Sequence, residues 1–234
     1  MTLPVAILAG GLATRLQPIT QKIPKALVEV ASKPFIHHQL ALLRRDHLTH
    51  VVLCVGHLGE MVQEALRDGR QWGMRLEYVF DGSPLLGTGG ALRKALPLLG
   101  EKFLILYGDT YLNCDYTAVA KAFLTSGKQG LMTVFRNGNQ WDRSNVLFSN
   151  NRILNYDKKS PTSDMQHIDY GLGALRADVF KNYPADTVID LAAIYHDLVA
   201  DDALAGFEVT KRFYEIGTHR GLEETRNYFK ETIS

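Results

Sequence analysis

The sequence predicts an α/β protein, with a mostly parallel sheet covered by helices on both faces. Three observations carry this. Apolar runs of strand length recur through the first half of the chain, at "PVAIL", "VVLCVG", "RLEYVF" and "FLILYGD". Segments with helical apolar spacing separate them. Near-continuous apolar strands belong to sheets buried on both sides, the habit of parallel sheets built from strand–helix–strand units.

Taken in order, "PVAIL" is a short strand that breaks at Gly10–Gly11. "PFIHHQLALLRR" places Ile36, Leu40 and Leu43 on one helical face, and Pro34 suits the start of a helix. "VVLCVG" reads as a buried strand. "HLGEMVQEALRDG" puts Leu58, Met61, Val62, Ala65 and Leu66 on one helical face and stops at Gly69. "RLEYVF" is a strand. "TGGALRKALPLLG" is a helix with Leu92, Ala95, Leu96 and Leu99 in register and Thr88 as its N-cap. "FLILYGD" is a strand ending in Gly108–Asp109. In the second half, "GLMTVF", "SNVLFS", "RILNYD" and "HIDYGLGAL" are strands divided by turn residues. Their close spacing implies antiparallel additions to the sheet or a small cap over one end. "IDLAAIYHDLVA" returns to helix, "RFYEIG" is a last strand, and "THRGLEETRNYFKE" a closing helix. With no repeat or linker, the expectation is one domain over residues 1–234.

Composition narrows the function classes. The chain is 46% hydrophobic and 22% charged, as expected for a soluble globular protein. Lys and Arg number 26 against 25 Asp and Glu, so the basic stripe of a nucleic-acid binder is not expected. Cys54 and Cys114 supply neither a disulfide framework nor metal spacing, and the histidines supply none either; a reducing, cytoplasmic location is expected. No apolar run reaches the length of a membrane span, and the N-terminus lacks the basic region of a signal peptide, so no membrane partner is expected.

The stretch "ILAGGLATRLQPITQKIPKALVEV" carries the first chemistry. It lacks both the G-x-G-x-x-G and the G-x-x-x-x-G-K-[ST] phosphate motifs. Its glycine turn leaves the first strand at the carboxyl edge, where open parallel sheets bind ligands. Pro18 and Pro24 forbid an uninterrupted helix, so Leu12 to Ala26 is expected to be a long loop over that edge. The loop holds Arg15 and Lys25 and no carboxylate until Glu29. A planar fork and a point charge suit a polyphosphate, although two solvated loop cations are the plainer reading of these residues alone. Asp109 after Gly108 likewise reads by itself as a turn residue.

"GGLATRLQPITQKIPKALVEV" resembles the N-terminal motif of the sugar-phosphate nucleotidyltransferases, the nucleotide-sugar pyrophosphorylases: G-G-x-G-T-R-L-x-P-x-T, then P-K-P-L. Ala13 stands where that family usually has glycine, and Ala26 where it has proline. The similarity continues through "KPFIHHQL", "LLGTGGAL", "LYGDT", the "DK" of "NYDKKS", and "YEIGT", so it covers nearly the whole chain in order. It implies a Rossmann-like three-layer α/β/α fold with a mostly parallel mixed sheet. The first half, to about residue 115, would bind a nucleoside triphosphate (NTP), and the rest a sugar 1-phosphate. The implied reaction is Mg²⁺-dependent and gives a nucleotide sugar and pyrophosphate.

The resemblance also implies roles. Arg15 and Lys25 would act on the triphosphate and the transition state. Leu8, Ala9, Gly10, Gly11, Gly87, Thr88, Gly89 and Gly108 would hold the nucleotide. Asp109 would bind the metal with Glu215, where the family often has Asp. Lys158 would meet the sugar phosphate, with Lys159 as competitor and Asp157 replacing the family's Glu. Asn145, Asp169 and Gly171 would serve the sugar. "LLGTGGAL" with "YEIGT" most resembles heptose 1-phosphate guanylyltransferases, so GTP with a heptose- or mannose-type acceptor is the preferred pairing, then UTP, then CTP. The alternatives are uridylyl or cytidylyl transfer to another acceptor such as phosphocholine, a non-catalytic nucleotide-sensing subunit, and a dinucleotide-dependent oxidoreductase. Pro18 and Pro24 argue against the last. A homo-oligomer is compatible with all of these.

Overall fold

The structure, a computed structural model, describes residues 2–233; Met1 and Ser234, the ends of the expected span, lie outside it. β1 (Val5–Ala9) runs into a loop that folds as three 3₁₀ turns, at Thr14–Leu16, Ile19–Gln21 and Lys25–Leu27. β2 (Glu29–Val30) and β3 (Lys33–Pro34) form a small hairpin before α1 (Phe35–Arg45). Then come β4 (His50–Val55), α2 (Gly59–Leu66), β5 (Arg75–Phe80), α3 (Gly87–Leu99) and β6 (Lys102–Tyr107). β7 (Thr110–Tyr111) and α4 (Tyr116–Ser126) lead to β8 (Gly130–Arg136), β9 (Val146–Ser149), β10 (Arg152–Tyr156) and β11 (His167–Arg176). The chain closes with α5 (Leu191–Ala200), β12 (Leu204–Val209), β13 (Tyr214–Glu215) and α6 (His219–Ile233).

Among the described residues the main sheet has nine strands, in the order β5-β4-β1-β6-β11-β8-β12-β10-β9. β5, β4, β1 and β6 are mutually parallel. β11 enters antiparallel between β6 and β8, and β12 returns parallel to β8. The second-half strands therefore extend the same sheet, resolving the choice between an extension and a separate cap. Alternate residues of the parallel strands bury on opposite faces. Val5, Ile7, Val51 and Leu53 pack with α1, α2 and α4, whereas Ala6, Val52, Cys54 and Ile105 pack with α3 and α5. That two-sided burial makes the three layers and explains the uninterrupted apolar runs.

Some expectations are corrected. α4 and β12 carry no clear sequence signal, yet β12 sits inside the sheet. On α2 the buried positions are Gly59, Val62 and Leu66; Met61 and Ala65 face solvent. "RFYEIG" contracts to the two-residue β13, paired with β7.

A third apolar cluster joins the two ends of the chain. Leu16, Val28, Val30 and Phe35 pack against Ile216, Leu222 and Phe229, so α6 lies behind the long loop. His219 Nε2 donates to Gln17 O at 2.9 Å, and Arg226 donates to Glu29 O.

Candidate active site

β1 and β6 run side by side in parallel register, with Leu8 opposite Tyr107. Gly10–Gly11 and Gly108–Asp109 therefore emerge at the same carboxyl edge, and a cleft opens between them. Leu8, Ala9, Gly10, Gly11, Gly87, Thr88 and Gly108 line it, with Lys25 and Asp109. Backbone crowding differs among these glycines, severe at Gly108 and tight at Gly10. A Cβ on Gly108 would stand 2.7 Å from Leu8 O, and one on Gly10 would stand 3.2 Å from Asp81 Oδ2. Gly11 has open space around it.

Gly89 is not part of this cleft. Its N–H donates to Ile189 O at 2.8 Å, and a Cβ there would lie 2.8 Å from the Ile189 side chain. The small residues of "TGGAL" admit the 187–191 segment, which supplies the carbonyl that caps the first turn of α3. Thr88, expected as the N-cap of α3, instead reaches across to α5. Its hydroxyl donates to Asp190 Oδ1 and accepts from Leu191 N at 2.8 Å.

A second cleft meets the first at Tyr107 and Asp109, which line both. Arg15, Asn145, Lys158, Asp169, Gly171 and Glu215 face it. Arg15 thus stands on this side of Asp109 and does not line the first cleft. Lys25 reaches Asp109 from the long loop, with Nζ 2.6 Å from Oδ2, both side chains about three-quarters buried. Glu215 comes from β13. Its carboxylate accepts from Gly217 N and, at 2.7 Å, from the Thr218 hydroxyl, so it caps the start of α6. A Cβ on Gly221 would collide with it, so glycine there makes room for a side chain one methylene longer than Asp. The point where a Gly217 side chain would begin is 2.8 Å from Glu215 Oε2, 3.1 Å from Asp109 Oδ2 and 3.6 Å from an Arg15 guanidinium nitrogen. Two carboxylates and a cation converge on one small space. Mg²⁺ is held by one or two carboxylates plus phosphate oxygens and water, and this pair fits that donor set. Among the described residues no three His, Cys, Asp or Glu side chains gather into a closed metal site.

β11 shapes the second cleft through an irregularity. Asp169 pairs with Val134 and Gly173 with Met132, so the strand bulges between them. Gly171 lies in the bulge at φ 98°, a conformation that favours glycine, with Thr110 Oγ1 3.2 Å from its missing Cβ. The bulge turns Asp169 toward the cleft, where Asn145 Oδ1 accepts its backbone N–H at 3.0 Å. Burial pushes the Asp169 carboxyl above the usual range, opposed by Lys158 and by hydrogen bonds from Gly171 N and the Tyr156 hydroxyl. Lys158 Nζ sits 3.8 Å from Asp169 Oδ2 and 3.4 Å from the Tyr107 hydroxyl. Asp157 lines neither cleft. Its Oδ1 accepts from Lys159 N and Ser160 N, holding the turn that presents Lys158.

Sequence reasoning missed Asp81, Tyr107 and Asp142. Asp81 follows β5 at the ligand-binding edge and is 7% exposed in the first cleft, with Oδ1 buried and unpartnered among the described residues. Burial pushes its pKa up, partly offset by the Leu86 amide and Lys94. A carboxylate just past a parallel strand was the available signal. Tyr107 divides the two clefts, and burial raises its pKa as well.

A family model described as nucleotidyl transferase matches residues 5–144. The N-acetylmuramate alpha-1-phosphate uridylyltransferase of Neisseria meningitidis is 28% identical, over 94% of this chain and 95% of the relative. The D-glycero-alpha-D-manno-heptose 1-phosphate guanylyltransferase of Campylobacter jejuni is 27% identical, over 76% and 77%. The UTP–glucose-1-phosphate uridylyltransferase of Synechocystis is 27% identical over 88% of this chain, which spans only 58% of that longer relative. Among solved structures, HddC from Yersinia pseudotuberculosis complexed with GMP-PN superposes with a TM-score of 0.80 at 21% identity, covering 97% of this chain and all of its own.

Proposed function

The chain belongs to the nucleotidyl transferase family, and from that premise we propose that it joins an NTP to a sugar 1-phosphate, releasing pyrophosphate. The observation that carries this is the meeting of two clefts at Asp109, with Lys25 on its carboxylate. The glycine-walled cleft would take the nucleotide and the cleft holding Lys158 the acceptor. One phosphate oxygen of the acceptor attacks the α-phosphorus. A new P–O bond forms as the bond to the bridging oxygen breaks, and the electron pair leaves with pyrophosphate. The attacking phosphate is already an anion, so no strong general base is needed. The barrier lies in bringing two polyanions together, which positioning and fixed positive charge address. Lys158 would hold the nucleophile and Lys25 would neutralise charge at the α-phosphate. Arg15, on the far side of Asp109, would steady the phosphates where the substrates meet. Asp109 and Glu215 would hold Mg²⁺, which when bound polarises phosphoryl oxygen. The nucleotide and acceptor parts work here as one domain.

For the base, GTP is the preferred reading. The heptose-type guanylyltransferase among its relatives supports it. The heptose-type guanylyltransferase relative supports a heptose- or mannose-type acceptor. A second reading, UTP with an N-acetylmuramate-type acceptor, is favoured by the relative that matches almost end to end. Pyrophosphate release measured across four NTPs, each with mannose-, heptose-, glucose- and N-acetylmuramate 1-phosphate, separates the two. GTP with a manno-configured acceptor is expected to be fastest. Nucleotide binding with no pyrophosphate from any pair would instead indicate a sensing subunit.

A further inference from the structure

The acceptor cleft is bordered by the loop of residues 137–144, which is stapled internally. Asn137 Nδ2 donates to Asp142 O at 2.6 Å, and Ser144 N donates to Asn139 Oδ1 at 2.8 Å. Its outward-pointing Trp141 stays partly exposed, with one ring face covered. The Arg212 guanidinium carbon stands 3.3 Å from the centre of that ring and 4.7 Å from that of Tyr214. Tyr214 in turn stacks on Tyr228 of α6 at 4.0 Å. Arg212 also pairs with Glu224 of α6, while its Nε is buried with no hydrogen-bond partner among the described residues. The guanidinium is held by that pair at one edge and by the rings on its flat faces, a combination for which a lysine ammonium is the wrong shape.

What this stack delivers to the site is Asp142. It lines the acceptor cleft with Arg15, Asn145 and Glu215. Its Oδ1 accepts from Arg143 N at 2.6 Å. Its Oδ2 accepts no hydrogen bond among the described residues. We infer that Arg212 is a positioning residue which, through Trp141, holds Asp142 over the acceptor cleft to accept hydrogen bonds from the hydroxyls of a polyol acceptor. The inference rests on the acceptor cleft proposed above.

The test compares Asp142→Ala, Arg212→Lys, Trp141→Phe and the double variant Asp142→Ala/Arg212→Lys. Asp142→Ala and Arg212→Lys are each expected to raise the acceptor KM about tenfold while leaving the NTP KM unchanged. Trp141→Phe narrows the stacked face and is expected to raise the acceptor KM, though less than Arg212→Lys does. The double variant is expected to be no worse than Asp142→Ala alone, because Arg212 acts through Asp142. In a Trp72→Phe background, acrylamide quenching of Trp141 fluorescence is expected to rise with Arg212→Lys, which reads the stack without substrate. Equal shifts of both KM values, or full additivity in the double variant, overturn the inference alone. A wild-type protein that turns over no NTP–acceptor pair, with the quenching result intact, overturns the functional reading and the inference with it.

Discussion

Lys25 and Asp109 lie 84 positions apart and meet at 2.6 Å, which is where the proposed chemistry concentrates. Replacing either by Ala is expected to lower turnover at least about a hundredfold, the usual scale for losing a group that stabilises transition-state charge. Near-normal pyrophosphate release from a folded variant would contradict the role. Asp169 offers a test in which activity and stability move in opposite directions. Its folded-state pKa is raised, so as pH climbs past the usual aspartate value of about 3.9 the unfolded chain gives up its proton first. Fewer protons on the unfolded state mean that stability falls with rising pH, until the buried carboxyl has also ionised. Asp169→Asn removes that loss. Its unfolding midpoint relative to wild type is therefore expected to rise from pH 4 to neutrality while acceptor binding weakens. A constant difference across that range would show that ionisation of Asp169 is not what burial penalises.

The element that shapes the second cleft, the proposed acceptor site, is a strand made irregular. A straight β11 would keep alternating its side chains between the two faces of the sheet; the bulge at Gly171 turns Asp169 to the cleft instead. Gly171→Ala must carry a Cβ at φ 98° against Thr110, so a loss of about 1–3 kcal/mol in urea unfolding is expected, with a raised acceptor KM. Gly11→Ala provides the contrast. Nothing lies within 4 Å of its missing Cβ, so its stability is expected to stay within about 0.5 kcal/mol of wild type. If the two variants are equally stable, strain at the bulge is not real. α4 shows why some elements escape a reading by periodicity. "YTAVAKAFLTS" is alanine-rich and apolar on more than one side, which blurs the stripe. The structure gives it ordinary caps, Asp115 accepting from Ala118 N and Gly127 at φ 68°, but caps without a clean stripe between them do not mark a helix.

At the scale of the molecule, the first and last parts of the chain hold the site jointly. The loop that carries Arg15 and Lys25 is backed by α6 through Leu16, Val28, Leu222 and Phe229. Leu222 carries no reactive group and lines neither cleft. Leu222→Ala is nonetheless expected to cost about 2–5 kcal/mol and to raise the NTP KM by loosening the loop. A large drop in the thermal midpoint with unaltered kinetics would show that the loop holds its shape without α6. Among the described residues no helix is long and apolar enough to cross a membrane.

The sequence by itself determined the parallel half of the sheet, because strands buried on both faces must be apolar at every position. It also determined the kinds of residue at the carboxyl edge of that sheet, glycines where the backbone turns and two cations in the loop beyond, the set that the proposed polyphosphate would need. Only the tertiary structure decided which of those residues face the clefts. Thr88 and Gly89 are neighbours, yet one lines the first cleft and the other is covered by Ile189, from a segment about a hundred positions away. Lys158 enters the second cleft while Asp157 closes its turn, and Asp81 becomes a buried carboxylate with one oxygen unpartnered among the described residues. The physical reason is the same in each case. A side chain's direction depends on which distant backbone groups satisfy its neighbours' hydrogen bonds, and local spacing does not encode those partners.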